Sequence, residues 1–274
     1  MTKARELKPF ERVGDAKLFL GDSIEIMNSL PEKSVDMVFA DPPYNLSNDG
    51  YSVHAGKRVS VNKGDWDKSS GPKSDFEFHF RWIEACKRIL KDNGTIWISG
   101  TYHSIYACGY ALQLLDYRLL NDISWFKPNA APNLGCRMFT ASHETLLWAS
   151  KSKKSKHVFN YEAMRKGLFP NDFIKKPGKQ MRSVWSITTP GKDEKKYGKH
   201  PTQKPLALMD RIVLASTVED ALILDPFCGS ATTGVSALQL GRKFIGIDAE
   251  EKYLTSYAIP RLKDAVKSSK ERLF

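Results

Sequence analysis

The chain has 274 residues, 41% hydrophobic and 27% charged, which suits one α/β domain carrying an inserted module. Lys and Arg outnumber Asp and Glu by 42 to 31, and the net charge of +11 favours a polyanionic partner as readily as it fits a solvated basic surface. No run of about 18 apolar residues occurs and the first residues lack an apolar leader stretch, so a cytoplasmic protein with no membrane contact is expected. Cys86, Cys108, Cys136 and Cys228 are far apart with no CxxC pair, so they read as reduced thiols, with neither a metal site nor a disulfide framework.

In chain order, the first predicted strand is Lys17-Leu20, running into Gly21-Asp22-Ser23. The second, Val35-Ala40, runs directly into Asp41-Pro42-Pro43-Tyr44. Asn45-Lys73 is polar, rich in Gly and Ser, and too long for a routine connection; Trp66 within it is a candidate lid residue. A helix over Phe78-Leu90 closes at Asn93-Gly94, and strands follow at Thr95-Ser99, Leu120-Phe126 and Glu144-Ser150. Lys151-Lys199 holds fourteen Lys/Arg against four Asp/Glu with weak periodicity, and reads as an insertion on the core. Helices over Leu206-Ser216 and Thr232-Leu240 bracket a strand at Leu222-Asp225, and a last strand lies at Phe244-Ile247. Such alternation predicts a mostly parallel sheet with helices on both faces.

Asp41-Pro42-Pro43-Tyr44 therefore falls at the carboxyl edge of the sheet, where open α/β folds bind ligands. An Asp there also serves as a turn cap, and Pro-Pro as a strand end. The four residues together fit a particular chemistry. The exocyclic amine of adenine or cytosine is a poor nucleophile, because its lone pair is delocalised into the ring. The Asp41 carboxylate and the Pro42 carbonyl, whose direction Pro42 and Pro43 restrict, can accept its two N–H bonds and draw it toward a tetrahedral shape. Tyr44 offers a ring for a base extruded from the duplex. Transfer would be a direct displacement needing no covalent intermediate. No cysteine follows a proline, which counts against cytosine C5 chemistry.

The run Leu222-Asp225, Pro226-Phe227-Cys228-Gly229-Ser230-Ala231 and Thr232-Thr233 is a strand, a small-residue turn and a helix start, suited to a ligand carboxylate. Asp248 ends the next strand, where an acid can accept from ribose hydroxyls. These features fit S-adenosylmethionine. Neither G-x-G-x-x-G nor a P-loop pattern is present.

With these motifs in this order, and His200-Pro201-Thr202-Gln203-Lys204-Pro205 just before the cofactor strand, the chain resembles the β-type amino-methyltransferases of bacterial restriction–modification systems over roughly Lys17-Leu262. The resemblance implies a class I S-adenosylmethionine-dependent fold: a Rossmann-like, seven-stranded, mostly parallel sheet with one antiparallel strand. It implies one catalytic domain over 1–274, with a catalytic half near 15–126, a cofactor half near 200–265, and a target-recognition region at 127–199. Asp225, Phe227, Gly229, Ser230, Thr232 and Thr233 would surround the methionine part, Asp248 the ribose, and Asp22 with Ser23 the adenine ring, while Lys204 would close over the cofactor. The family turn has a second Gly where this chain has Ala231, which is acceptable in helical backbone. Asp at the first motif position favours adenine N6, with cytosine N4 as the alternative. An RNA or protein substrate, and a DNA-binding module without activity, rank below these.

Trp125-Asn133, Arg137-Glu144 and Asn62-Asp67 also resemble the smaller adenine enzymes of such systems, including those that modify GATC sites. DNA contacts are expected from Lys127, Arg137, Ser142, His143, Lys153, Lys154 and Arg182. The remaining tryptophans, Trp148 and Trp185 among them, read as core or rim. Further partners implied by the resemblance are a second copy of the chain and a cognate restriction endonuclease.

Overall fold

The computed structural model describes residues 7–44, 51–54, 57–60, 71–167 and 178–271. The Asn62-Asp67 motif and the candidate lid residue Trp66 lie outside them.

All seven expected strands form, as β2 (Ala16–Leu20), β3 (Val35–Ala40), β6 (Leu90–Gly100), β7 (Arg118–Phe126), β8 (His143–Ser150), β10 (Leu222–Asp225) and β11 (Lys243–Asp248). Two three-residue strands, β1 (Glu11–Val13) and β9 (Val184–Ser186), are too short to show a period in sequence, and they extend the sheet at its two edges. The nine strands run in the order β1-β2-β11-β10-β3-β6-β8-β7-β9. Within the inner seven, β8 alone is antiparallel to its neighbours, as the resemblance implied. A separate hairpin of β4 (Tyr51–His54) and β5 (Lys57–Ser60) lies in the segment expected to be a loop.

Side chains alternate across the sheet and feed two cores. On one face Phe19, Val38, Ala40, Ile96, Ile98, Leu224, Ile245 and Ile247 meet α1 (Ser23–Ser29), α2 (Pro72–Ile89) and α3 (Ile105–Leu114). On the other Leu18, Met37, Phe39, Trp97, Ile223 and Phe244 meet α5 (Leu206–Ser216), α6 (Thr232–Gln239) and α8 (Ile259–Glu271), with α4 (Tyr161–Lys166) packed on α5 and the single turn α7 (Glu251–Tyr253) leading toward α8. Trp82, Ile83, Cys86 and Ile89 of α2 are buried, at the spacing of one helical face. That helix starts earlier than the apolar period suggests, with Pro72 at its first turn, where a missing N–H costs nothing. Asn93-Gly94 does not close it. The chain passes straight into β6, and residues 91–94 bulge out between the pairs Val35–Leu90 and Met37–Thr95.

Two features of this topology place the site. Strands β10 and β11, late in sequence, slot between β2 and β3, so motifs far apart in the chain share one sheet edge. Residues 127–199 are not a pure insertion, because they contribute β8 to the sheet interior and β9 to its rim. Since β8 runs antiparallel, it begins at the carboxyl edge of the parallel strands and ends at the opposite one. Trp97 and Trp148 stack at 4.9 Å beside Trp185 within this part of the core, and Trp125 is buried with its indole N–H on the Ile187 carbonyl.

Candidate active site

At the carboxyl ends of β2, β11, β10 and β3 lies a cavity of about 260 Å³. It is lined by Asp22 and Ser23 after β2, Asp248 and Glu250 after β11, Phe227 and Gly229 after β10, and all of Asp41-Tyr44 after β3. A narrow cleft continues from it past Lys204, Asp225, Ser230, Thr232 and Thr233. Every residue expected at the cofactor thus lines one of these two spaces. A third cavity, about 200 Å³, opens on the far side of Tyr44, between Trp125, Lys127, Glu144, Thr189 and Gln203. Asp41 lines the first two, Tyr44 the first and third, and Lys204 the second and third, while His200 and Thr202 line all three.

The turn after β10 is held by fixed bonds. Asp225 accepts from the Phe227 N–H at 3.0 Å and the Thr233 hydroxyl at 2.7 Å. Burial raises its carboxyl to about 7 against those two bonds, with Asp41 and Asp248 adding to the rise. Asp248 accepts from the N–H groups of Gly229 at 2.7 Å and Glu250 at 2.9 Å, and burial raises its pKa too. Asp22 caps α1, accepting from Glu25 N–H at 2.9 Å. Gly229 has φ +49°, and a Cβ there would lie 2.9 Å from the His200 ring, so the position has no room for a side chain. Ala231 is also left-handed, at φ 53°, ψ 40°, so the extra methyl sits in the region that a glycine would adopt freely. Buried Arg261, which the sequence reading did not single out, braces the turn from α8 through the Ser230 carbonyl (2.6 Å) and hydroxyl (3.0 Å) and the Thr232 hydroxyl (2.9 Å).

Around Asp41 the polar groups are arranged differently. Its Oδ1 accepts from the Tyr44 hydroxyl and its Oδ2 pairs with the Lys204 ammonium, both at 2.5 Å. Glu144, brought to this edge by the reversed direction of β8, presents Oε1 to Lys127 at 2.9 Å. Its Oε2 faces the Tyr44 hydroxyl at 3.2 Å, the Ser99 hydroxyl at 3.4 Å and Lys204 at 3.8 Å. Asp41, Glu144, Lys204 and Lys127 expose 12%, 12%, 8% and 16% of their side chains, so two acids and two lysines balance in a nearly dry space. Burial raises the Asp41 carboxyl and outweighs Lys204. Burial also works to raise Glu144, but Lys204 and Lys127 together hold it down at about 2. Lys204 is raised, since Asp41 and Glu144 overcome its own desolvation. Tyr44 is buried, with Lys204 Nζ 5.3 Å above its ring, and burial followed by the charge of Asp41 raises its phenol well above the usual value.

The residues expected at DNA separate. Arg137 and His143 are exposed, and Ser142 is half-buried, in or beside the loop from β7 to β8 at the same edge as the cavities. Met138 and Phe139 in that loop are also exposed. The Lys127 side chain instead turns inward onto Glu144. Lys153 and Lys154, expected beside the active face, follow β8 to the opposite edge, where their turn is tied to Asp92 and Asn93 at the start of β6. Arg182 is exposed just before the rim strand β9. Glu144, Ser99, Glu250 and Arg261 are the site residues that sequence reading passed over. Two signals pointed at Glu144: it closes the Arg137-Glu144 stretch, and it is an acid opening an otherwise apolar strand.

Comparison with known proteins gives a consistent result. The profile of a family described as DNA methylase matches residues 35–259. The Type II methyltransferase M2.LlaDCHI of Lactococcus lactis subsp. cremoris is 52% identical over 90% of this chain and 89% of its own length. M2.DpnII of Streptococcus pneumoniae is 51% identical over 90% of each chain. Among solved structures, an M1.HpyAVI–SAM complex has 28% identity and a TM-score of 0.64, covering 90% of this chain and 98% of that one. A cytosine-N4-specific PvuII DNA methyltransferase shares the fold, with a TM-score of 0.71 at 19% identity over 97% of this chain and 95% of that one.

Proposed function

The chain belongs to the DNA methylase family, and we propose that it is a site-specific methyltransferase acting on adenine N6 of a base flipped out of DNA. Methyl transfer from S-adenosylmethionine to DNA is the activity of that family and of this chain. The observation that carries the finer reading is that Asp41 stands between two spaces, one for a nucleoside and one for its amino-acid tail, with room for a second planar group beyond its partners Tyr44 and Lys204.

The cofactor fits the residues present. Gly229 leaves open backbone where a Cβ would strike His200, Asp248 and Glu250 offer acceptors to ribose hydroxyls, and Phe227 with Ala249 gives apolar wall. S-Adenosylmethionine supplies a methyl group on a sulfonium, a leaving group that departs as a neutral thioether. Asp41 and the Pro42 carbonyl accept the two N–H bonds of the target amine and orient its lone pair at that methyl. Tyr44 stacks on the extruded base. With the cofactor held there, its methyl would pass to the amine nitrogen as the thioether departs, and the Asp41 carboxylate would take the surplus proton from that nitrogen.

Adenine is preferred because Asp stands at the first motif position. Cytosine N4 shares the geometry and is the runner-up. DNA would meet the carboxyl edge through Arg137, Ser142 and His143, with Arg182 along the rim and Phe139 as apolar surface against bases. No described helix is long and apolar enough to cross a membrane, and the chain's DNA substrate and four free cysteines fit the cytoplasm. A second copy would find an uncharged face at α3, where Tyr106, Tyr110 and Leu114 are exposed in a chain of net charge +11; sedimentation measures it. A cognate restriction endonuclease reading the same site completes the proposed system.

Incubation with methyl-labelled S-adenosylmethionine and duplexes with or without GATC, followed by nucleoside digestion, is the test. Label in N6-methyladenine is expected. Label in N4-methylcytosine selects the runner-up, and tight DNA binding with no label in any product refutes the enzymatic reading.

A further inference from the structure

The reaction needs one Asp41 oxygen as acceptor, and both already hold a donor, one the Tyr44 hydroxyl and one Lys204, each at 2.5 Å. Each oxygen keeps a second lone pair, but an entering amine must share its acceptor with a donor held at 2.5 Å, and the grip is strongest once one of them leaves. An ammonium left on Asp41 would also oppose the positive charge that develops on the amine nitrogen during transfer. The second acid nearby is placed to resolve this. Glu144 Oε2 lies within reach of the same two groups, 3.2 Å from the Tyr44 hydroxyl and 3.8 Å from Lys204, and neither contact is as short as those to Asp41. The phenol has one proton to donate and cannot serve both carboxylates at once. Lys204 need move only about 1 Å to reach ordinary ion-pair distance from Glu144.

Resting on the function proposed above, we infer that Glu144 is a positioning residue: when the target amine enters, Lys204 and the Tyr44 hydroxyl pass from Asp41 to Glu144, which frees the Asp41 oxygens and lets the Tyr44 ring turn to the base. Glu144 suits the task because Lys127 fixes its other oxygen at 2.9 Å and keeps the carboxylate aimed. The ammoniums of Lys204 and Lys127 hold it ionised against its burial, so an acceptor is ready near neutral pH. The exchange moves an ammonium between two acids and leaves the charge of the buried centre unchanged, which avoids stranding a charge in a dry space. Ser99, fully buried at the end of β6, touches both partners, 3.2 Å from the Tyr44 hydroxyl and 3.4 Å from Glu144, and marks the place the phenol moves toward.

The test compares Glu144→Gln, Glu144→Asp and Asp41→Asn in one assay, with cofactor dissociation constant, KM for the duplex, kcat and melting temperature measured for each. The amide keeps the shape of Glu144 but cannot hold an ammonium. Glu144→Gln is therefore expected to lower kcat about 100-fold while the cofactor constant and KM stay within threefold of the parent, and Glu144→Asp to regain part of kcat. A Glu144→Gln enzyme with kcat within threefold of the parent overturns the inference. So does a variant that loses cofactor binding, or whose kcat falls only in proportion to the loss of folded protein, since Glu144 would then be structural. If Asp41→Asn keeps normal turnover, the reading of Asp41 itself fails; if Asp41→Asn is inactive and Glu144→Gln is normal, only the role given to Glu144 fails.

Discussion

The cofactor turn and the Asp41 centre sit on neighbouring strands, and both bury acids, but the acids are satisfied in opposite ways. Asp225 and Asp248 receive backbone N–H groups and a threonine hydroxyl, donors that the fold itself holds still. Asp41 and Glu144 share two lysines and a phenol, donors on long or rotatable side chains. A cradle for a ligand gains from donors that do not move, because nothing has to be reordered on binding. A centre that must accept an amine, release it and reset gains from donors that can be handed on.

The widest separation between the two regions is expected from Asp41→Asn and Asp248→Ala. Asp41→Asn should lower turnover about a thousandfold with little change in cofactor affinity, while Asp248→Ala should weaken the cofactor about tenfold. Single-turnover rates and calorimetry report these two quantities separately, and a loss of turnover without loss of affinity in Asp248→Ala would merge the regions.

Two neighbours in the turn sharpen the point about rigidity. Gly229→Ala forces a left-handed alanine against the His200 ring and should cost more than about 2 kcal/mol, lowering the melting temperature by about 5 °C. Ala231→Gly relieves similar backbone strain but gives up a buried methyl worth about 0.8 kcal/mol, so its melting temperature should stay within about 2 °C of the parent. Near-cancellation explains how this chain tolerates Ala at that position.

The smallest effects lie in the pH dependence of stability, and their signs should be opposite. Glu144 is held at about 2, below its ordinary 4.5, so the stability it contributes is present above pH 4.5 and lost as pH falls toward 2. Melting of Glu144→Gln should therefore fall less steeply than the parent's between pH 5 and 3. Asp225 is raised to about 7, so its favourable neutral form is lost as pH rises through 7. Asp225→Asn should gain on the parent as pH rises from about 4 to about 7 and hold that gain above it. Parallel melting curves for either variant would show that its acid is not held as described.

Much of this was legible in the chain. The apolar strands ending in Asp41, Asp225 and Asp248 announced themselves by β-branched runs stopped by turn residues, and the sheet put all three at one edge. Lys204 was legible as a site residue but not as the partner of Asp41, because 163 positions separate them and only the order of strands brings them together. Glu144 was hidden for a related reason. Its strand was recognised, but not its direction, and direction alone decides whether its first or last residues reach the site. The same missing fact sent Lys153 and Lys154 to the wrong edge in the sequence reading. Strands β1 and β9 were missed because three residues do not define a period.

The first strand and the last helix lie side by side: Val266 of α8 stands 2.8 Å from the place where a side chain on Gly14 would begin. A short peptide could therefore tie the two ends of the fold together, and a cut in the connection before His200 would open it elsewhere. The rearranged gene would encode the adenosyl-binding turn before the proline-rich tetrapeptide, yet build the same sheet, so motif order along a polypeptide is free to vary while the reacting atoms stay where they are.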